Sequence, residues 1–266
     1  MVTRSACEQV FPFSVLLLAA AAGIGTATAY SAGDILERAE AVRNPDGAYR
    51  FDMTITTSHP GQTDVVSSFL VYTNGRQQTL AYQSAPEAFA GRRMLMLERD
   101  AWLYLPGASD ALHIFLRNVV TGEVASGDIA RTDLSRQYTA ALLREEDLDG
   151  TACYLLDLAA RSPATTYSRI LYWVSRKRFH PLKAEFYAVS GRRMKTGRFD
   201  EYREGLGDLR PTRLVLEDAG DAGYRSMMVF RNFRRVRLPD SLFVPEALSG
   251  MVRPPEQSGL AVGLSH

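Results

Sequence analysis

Between residues 49 and 55 the chain alternates Tyr49, Phe51, Met53 and Ile55 with Arg50, Asp52 and Thr54. A period of two puts all four apolar side chains on one face of a strand. One such strand is unstable alone, so the pattern demands a sheet with something packed on it. Further β-rich runs follow at 65–72, 78–82, 94–98, 101–105 and 112–116, with Gly61, Asn74-Gly75 and Pro106-Gly107 as turn signals. Strands joined this closely pair antiparallel.

The stretch 121–137 carries Gly122, Gly127, Asp128, Asp133 and Ser135 and fits no alternation. It reads as an irregular loop with a short helix near Asp133. Strand pattern resumes at 138–143, 152–159 and 169–174, then crosses Ser175-Arg-Lys-Arg178 into 181–189, a hairpin with a basic tip. Runs from Gly191 to Tyr202, at 211–217 and at 226–236 bring the total to roughly a dozen strands. Helical spacing is confined to 34–43, where Ile35, Leu36, Ala39 and Val42 share a face behind a capping Asp34, and to the short segment near Asp133. Asn44-Pro-Asp-Gly47 stops the first helix. A parallel α/β fold needs repeated strand–helix alternation, which is missing. The fold class is therefore mainly β: a curled antiparallel sheet covered by a few short helices, since a dozen strands left flat expose long edges and a bare face.

The N-terminus reads as a secretory signal peptide. Arg4 precedes an apolar stretch from Phe11 to Ile24, and Ala27-Thr28-Ala29 supplies small residues for cleavage. The stretch is shorter than the roughly 20 residues that span a bilayer. Cleavage after Ala29 leaves 237 of 266 residues as a single domain, 30–266, exported to the periplasm. In that oxidising compartment Cys153 is the only remaining cysteine, set in an apolar strand-like run, and reads as a buried side chain rather than a reactive thiolate.

Several chemistries lack their motifs. There is no Gly-x-Ser-x-Gly, P-loop or Rossmann glycine pattern. His59, His113, His180 and His266 stand too far apart for a local metal motif, and no cysteine cluster joins them. Neither a metal nor another cofactor is expected, and no enzyme is recognised. A formal net charge of +1 gives no field for nucleic acid. Arg231, Arg234, Arg235 and Arg237 cluster around Phe233, which fits either an anionic headgroup or a solvated sheet face, and the second is the commoner use of such a run.

The remaining signal is apolar. Met94-Leu-Met-Leu97, Trp102-Leu-Tyr-Leu105 and Ile170-Leu-Tyr-Trp-Val174 are greasy at consecutive positions, so both faces of these strands need cover. One face packs on a core, and the other is free to line a lipid cavity, although a double-sided core explains the pattern equally well. Met94, Met96, Trp102 and Tyr104 are the candidate lipid-binding residues, the methionines because their flexible thioethers suit an adaptable surface. Each pair sits at period two and points one way, opposite Leu95, Leu97, Leu103 and Leu105, and the pattern leaves open which side is the cavity.

The order of motifs resembles the outer-membrane lipoprotein-sorting protein family on its LolA-like branch. The resemblance runs through Asp100-Ala-Trp-Leu-Tyr-Leu-Pro106, Ser126-Gly-Asp-Ile129, Asp133-Leu134, Tyr138, Leu148-Asp-Gly-Thr-Ala-Cys153, Tyr167-Ser-Arg-Ile-Leu-Tyr-Trp-Val174, Pro181-Leu-Lys-Ala-Glu-Phe-Tyr187, Gly191, Pro211 and Leu238-Pro-Asp-Ser-Leu-Phe-Val-Pro245. It departs at Asp110-Ala-Leu-His-Ile-Phe-Leu116, where relatives more often carry basic residues. The resemblance implies an incomplete LolA/LolB-like barrel wrapped around a helical lid. Its cavity would shield acyl chains of a lipoprotein or another lipid, with an inner-membrane exporter or an outer-membrane acceptor as partner. Proteins of this fold also serve as periplasmic sensors, so carrier and sensor both stand, with an unrecognised enzyme third.

Overall fold

A computed structural model describes residues 30–75, 78–97, 100–115, 120–121, 124–125, 133–163, 165–251, 254–255 and 262–263. The leader expected at 1–29 and most of the irregular loop lie outside these residues.

Helix α1 (Ala32–Arg43) opens the fold. Its start differs from the expectation of an Asp34 cap. Ser31 is the N-cap, accepting the Asp34 N–H at 3.1 Å, while the Asp34 carboxylate accepts the Ser31 N–H at 3.1 Å. Beginning the helix there satisfies two otherwise orphaned donors at once, which Asp34 as the cap cannot do.

A first antiparallel meander comprises β1 (Ala48–Ser58), β2 (Val65–Asn74), β3 (Gln78–Ala85), β4 (Arg93–Leu97), β5 (Asp100–Tyr104) and β6 (Leu112–Phe115). Two short strands, β7 (Val120–Thr121) and β8 (Val124–Ala125), pair only with each other. The second meander comprises β9 (Tyr138–Leu148), β10 (Thr151–Ala160), β11 (Arg169–Ser175), β12 (Pro181–Tyr187), β13 (Arg193–Gly205), β14 (Asp208–Asp218) and β15 (Arg225–Arg237). Pairing of β1 with β15 welds the two into one sheet whose path has thirteen strands and ends at β6 and β9, so it is not closed into a barrel. A last short strand, β16 (Val262–Gly263), pairs with β15. A one-turn helix, Leu134–Gln137, capped by Asp133, appears where a short helix was expected. Strand β9 runs on to Leu148, past the expected end at 143; it is an edge strand, largely exposed, so its polar half pairs without showing a buried face.

Burial separates the two faces. On β1, Tyr49, Phe51, Met53 and Ile55 are at most 1% exposed, as their alternation required. They belong to one large cluster with Phe69 and Val71 of β2, Leu156 and Leu158 of β10, Leu214 of β14 and the α1 residues Ile35, Leu36 and Ala39. Residues this far apart along the sheet share one cluster only because the sheet curls, and we call this the inner face. On the outer face of β2–β5, Tyr72, Leu80, Leu95 and Tyr104 are covered by Leu242, Phe243, Leu248 and Met251 of the chain that follows β15. A small outer cluster joins Cys153, Leu155 and Trp173. Among the described residues no helix is long and apolar enough to cross a membrane.

Candidate functional site

Helix α1 lies across the inner face of the second meander, touching β9, β11, β12 and β14. Its buried positions are spaced for this: Ile35, Leu36, Ala39 and Glu40 fall on one side. Glu40 is the exception to apolarity, and it is completely buried. Its carboxylate takes two bonds from the Arg43 guanidinium, at 2.9 and 2.7 Å, and a third from the Leu134 N–H at 2.9 Å. Burial alone would pull Arg43 down, but the neighbouring Glu40 charge outweighs it and raises the guanidinium above its ordinary range. The last turn is tied again by Arg210, whose guanidinium reaches the Val42 carbonyl at 3.4 Å.

Beside the C-terminal end of α1 a cavity of about 50 Å³ remains. Its walls include Tyr138, Tyr167, Ile170, Tyr172, Phe186 and Leu214, with Arg43 from α1 and Leu134 from the one-turn helix. The Tyr138 hydroxyl donates to the Tyr167 carbonyl at 3.0 Å, and the Tyr167 and Phe186 rings pack with centroids 4.6 Å apart. Lys195, buried on the same face, holds its ammonium 5.1 Å from the Tyr167 ring and 5.5 Å from the Phe186 ring. Gly197 sits between these groups: a side chain there would press on Leu216, Phe186 and Leu214 at 3.1–3.3 Å. The cavity is thus an aromatic and aliphatic wall with a cation at its margin.

The four candidate lipid-binding residues divide between the faces. Met94 and Met96 are buried at 8% and 2% exposure in the inner cluster, across from Leu103 and Ala101. Trp102 and Tyr104 point outward with Leu95, into the cluster under the C-terminal segment, where the Trp102 ring packs at a tilt against His113, centroids 5.0 Å apart. None of the four lines the cavity beside α1. Its lining lies in the second meander, where the inner positions of β12 and β13, Ala184, Phe186, Gly197 and Phe199, alternate with outer Lys183, Glu185 and Arg198. That alternation was available in the sequence, as was the acid–base pair Glu40 and Arg43 at helical i,i+3 spacing.

The arginine run on β15 is dispersed. Arg231, Arg234 and Arg237 are exposed, while Arg235 bonds the Asp46 carbonyl. Cys153 is buried with its thiol 3.0 Å from the Thr151 carbonyl, and burial pushes it up and away from reactivity. Among the described residues no group of three His, Cys, Asp or Glu side chains is placed to hold a metal ion.

An open antiparallel sheet curled around a helix, with an apolar inner face, defines the class of half-barrel binding folds. Three solved structures share it. A LolA superfamily protein from Nitrosomonas europaea is 34% identical, with a TM-score of 0.78, over 82% of this chain and 100% of that one. A DUF1329 family protein from Desulfovibrio piger (23% identity, TM-score 0.73, 82% and 97% of the two chains) has the same fold. So does a domain described as an outer membrane lipoprotein-sorting protein from Vibrio parahaemolyticus (20%, 0.72, 82% and 98%). A family model described as "-like: Uncharacterized protein" matches residues 75–250. No curated protein matches the chain. The chain belongs to the LolA superfamily.

Proposed function

We propose that this protein is a periplasmic carrier, exported by a leader cleaved after Ala29, that holds acyl chains of a lipoprotein or another lipid against its inner face, and that it is not an enzyme. The observation that carries the reading is α1: an apolar inner face spans both meanders, and a single helix covers part of it, with space left beside its C-terminal end. Ligand sites for molecules of drug size have volumes of about 300–1,000 Å³. A cavity of about 50 Å³ is therefore the closed state, and it holds a chain after α1 has moved to widen it.

The energies permit this. Burying 16 methylenes is worth ~12 kcal/mol before costs. Lifting α1 exposes mainly Ile35 and Leu36, at roughly 3–6 kcal/mol. Because Glu40 and Arg43 both belong to α1, their ion pair travels with it, while the bonds to the Leu134 N–H and from Arg210 are among those that break. The surplus leaves a ligand held firmly yet releasable, as transfer from an inner-membrane exporter to an outer-membrane acceptor requires. Met94 and Met96 extend the proposed wall into the first meander, whereas Trp102 and Tyr104 serve the outer core.

Native mass spectrometry of protein isolated from the periplasm tests the reading. The expected species starts at Tyr30 and carries a stoichiometric lipid or lipoprotein. A ligand-free protein with one tight protein partner would instead identify a sensor, and an intact N-terminus in the membrane fraction would overturn cleavage.

A further inference from the structure

Strands β14 and β15 pair over only part of their length. Their register runs from Glu217↔Arg225 to Arg213↔Val229 and stops. Beyond that point β14 stays with β13, through Tyr202↔Pro211 to Gly205↔Asp208, and β15 stays with β1, through Met53↔Phe230 to Tyr49↔Arg235. The sheet therefore has a split in its middle, away from its ends at β6 and β9. The sequence at the split explains it. Pro211 has no N–H to give a ladder, and positive φ of 49° at Glu201 of the neighbouring β13 and of 56° at Asn232 of β15 bends the strands around the split.

Outside the split lies a cleft of about 540 Å³. Its lining is apolar at Val229, Phe230 and Phe233 and charged at Glu201, Arg203 and Glu204 from β13 and at Arg231 from β15. Phe230 and Phe233 also pack in the inner cluster, against Phe51 at 5.9 and 5.2 Å, so the cleft and the inner face share a wall. One side chain fills the gap from within. Arg210 is 1% exposed, bonds the Gly205 carbonyl at 2.5 Å and the Val42 carbonyl of α1, and lies 5.5 Å from the Phe233 ring. Among the described residues it has no carboxylate partner. A guanidinium held by carbonyls and a ring is a removable plug, because withdrawing it breaks no ion pair.

We propose that the split between β14 and β15 is the doorway through which an amphiphile threads its acyl chain to the inner face, leaving its head group at the charged residues of the cleft, with Arg210 and Phe233 as the latch. This rests on the carrier reading, since a doorway needs a site behind it. An apolar lining continuous with the core and charged residues beside it match an amphiphile, and the Arg210–Val42 bond couples the latch to the cover α1. Arg203 is already paired with Glu201 at 3.2 Å, which leaves Arg231 as the head-group residue of the cleft.

Stopped-flow uptake of a fluorescent C16 fatty acyl probe tests it on the mature chain. Arg231→Trp fills the cleft from an exposed position, and Arg225→Trp places the same bulk at the paired end of β15. The doorway predicts that Arg231→Trp slows association by about tenfold or more while final probe stoichiometry is kept, and that Arg225→Trp leaves the rate unchanged. Arg210→Met, which removes the latch bonds, should speed both uptake and release. Wild-type rates in folded Arg231→Trp overturn the doorway and leave the carrier reading standing. Failure of the wild-type protein to bind the probe at saturation overturns the carrier reading itself. Should Arg231→Trp not fold, Arg203→Trp fills the cleft from β13 and is read in the same way.

Discussion

At the scale of single residues, neighbours in sequence have opposite fates. Met96 is 2% exposed in the inner cluster, whereas Leu97 is half-buried under the outer one. A carboxylate at position 96 has to be desolvated or protonated, so Met96→Glu should lose roughly 2–5 kcal/mol in urea unfolding. Leu97→Glu keeps its charge near water and should lose about 1 kcal/mol. Met96→Leu, which conserves volume, should stay within about 1.5 kcal/mol of wild type. Equal losses for the two glutamate variants would contradict the assignment of faces. The alternation that separates these residues was legible in the sequence; which face meets α1 was not, because Met94, Leu95, Met96 and Leu97 are all apolar and only the distant segments that pack on them differ.

At the scale of elements, α1 is a helix whose stability comes from what it covers. At 12 residues it is near the lower limit for an isolated helix, so the capping box at Ser31 and the buried face decide whether it forms. Glu40→Gln leaves the Arg43 guanidinium against an uncharged amide, and removing one partner of a buried pair costs about 3–5 kcal/mol. The loss should be local: hydrogen exchange across 35–43 should accelerate while β10 and β11 keep their protection. Uniform acceleration over the sheet would make α1 an integral part of the core and remove its role as a cover. The helix and most of the strands were legible from period and turn residues. The edge half of β9 was not, because both its faces meet solvent. The split between β14 and β15 left one trace in the sequence, Pro211, whose missing N–H ends a ladder without saying which. The segment carrying Leu242, Phe243, Leu248 and Met251 answers what covers the greasy outer face of β4 and β5, but its few apolar residues follow no period that would announce it.

At the scale of the whole molecule, the curl of the sheet turns two meanders into one apolar surface. The order of motifs pointed to the LolA-like fold before any contact was known, and the thirteen-strand path confirms that fold. The site was less legible than the fold. The residues that line the space beside α1 come from five strands, two helices and the loop before β11, and only the curl brings them together. The central claim is that the inner face, not the outer one, receives an acyl chain. The methionines report this directly, since Met53, Met94, Met96 and Met228 lie in the inner cluster, Met251 lies in the outer one, and Met194 is on the surface. Titration of 13C-methyl-methionine protein with a C16 fatty acyl ligand should shift the inner methyl resonances and leave Met194 and Met251 in place. Shifts at Met251 with the four inner methyls unmoved would contradict the account.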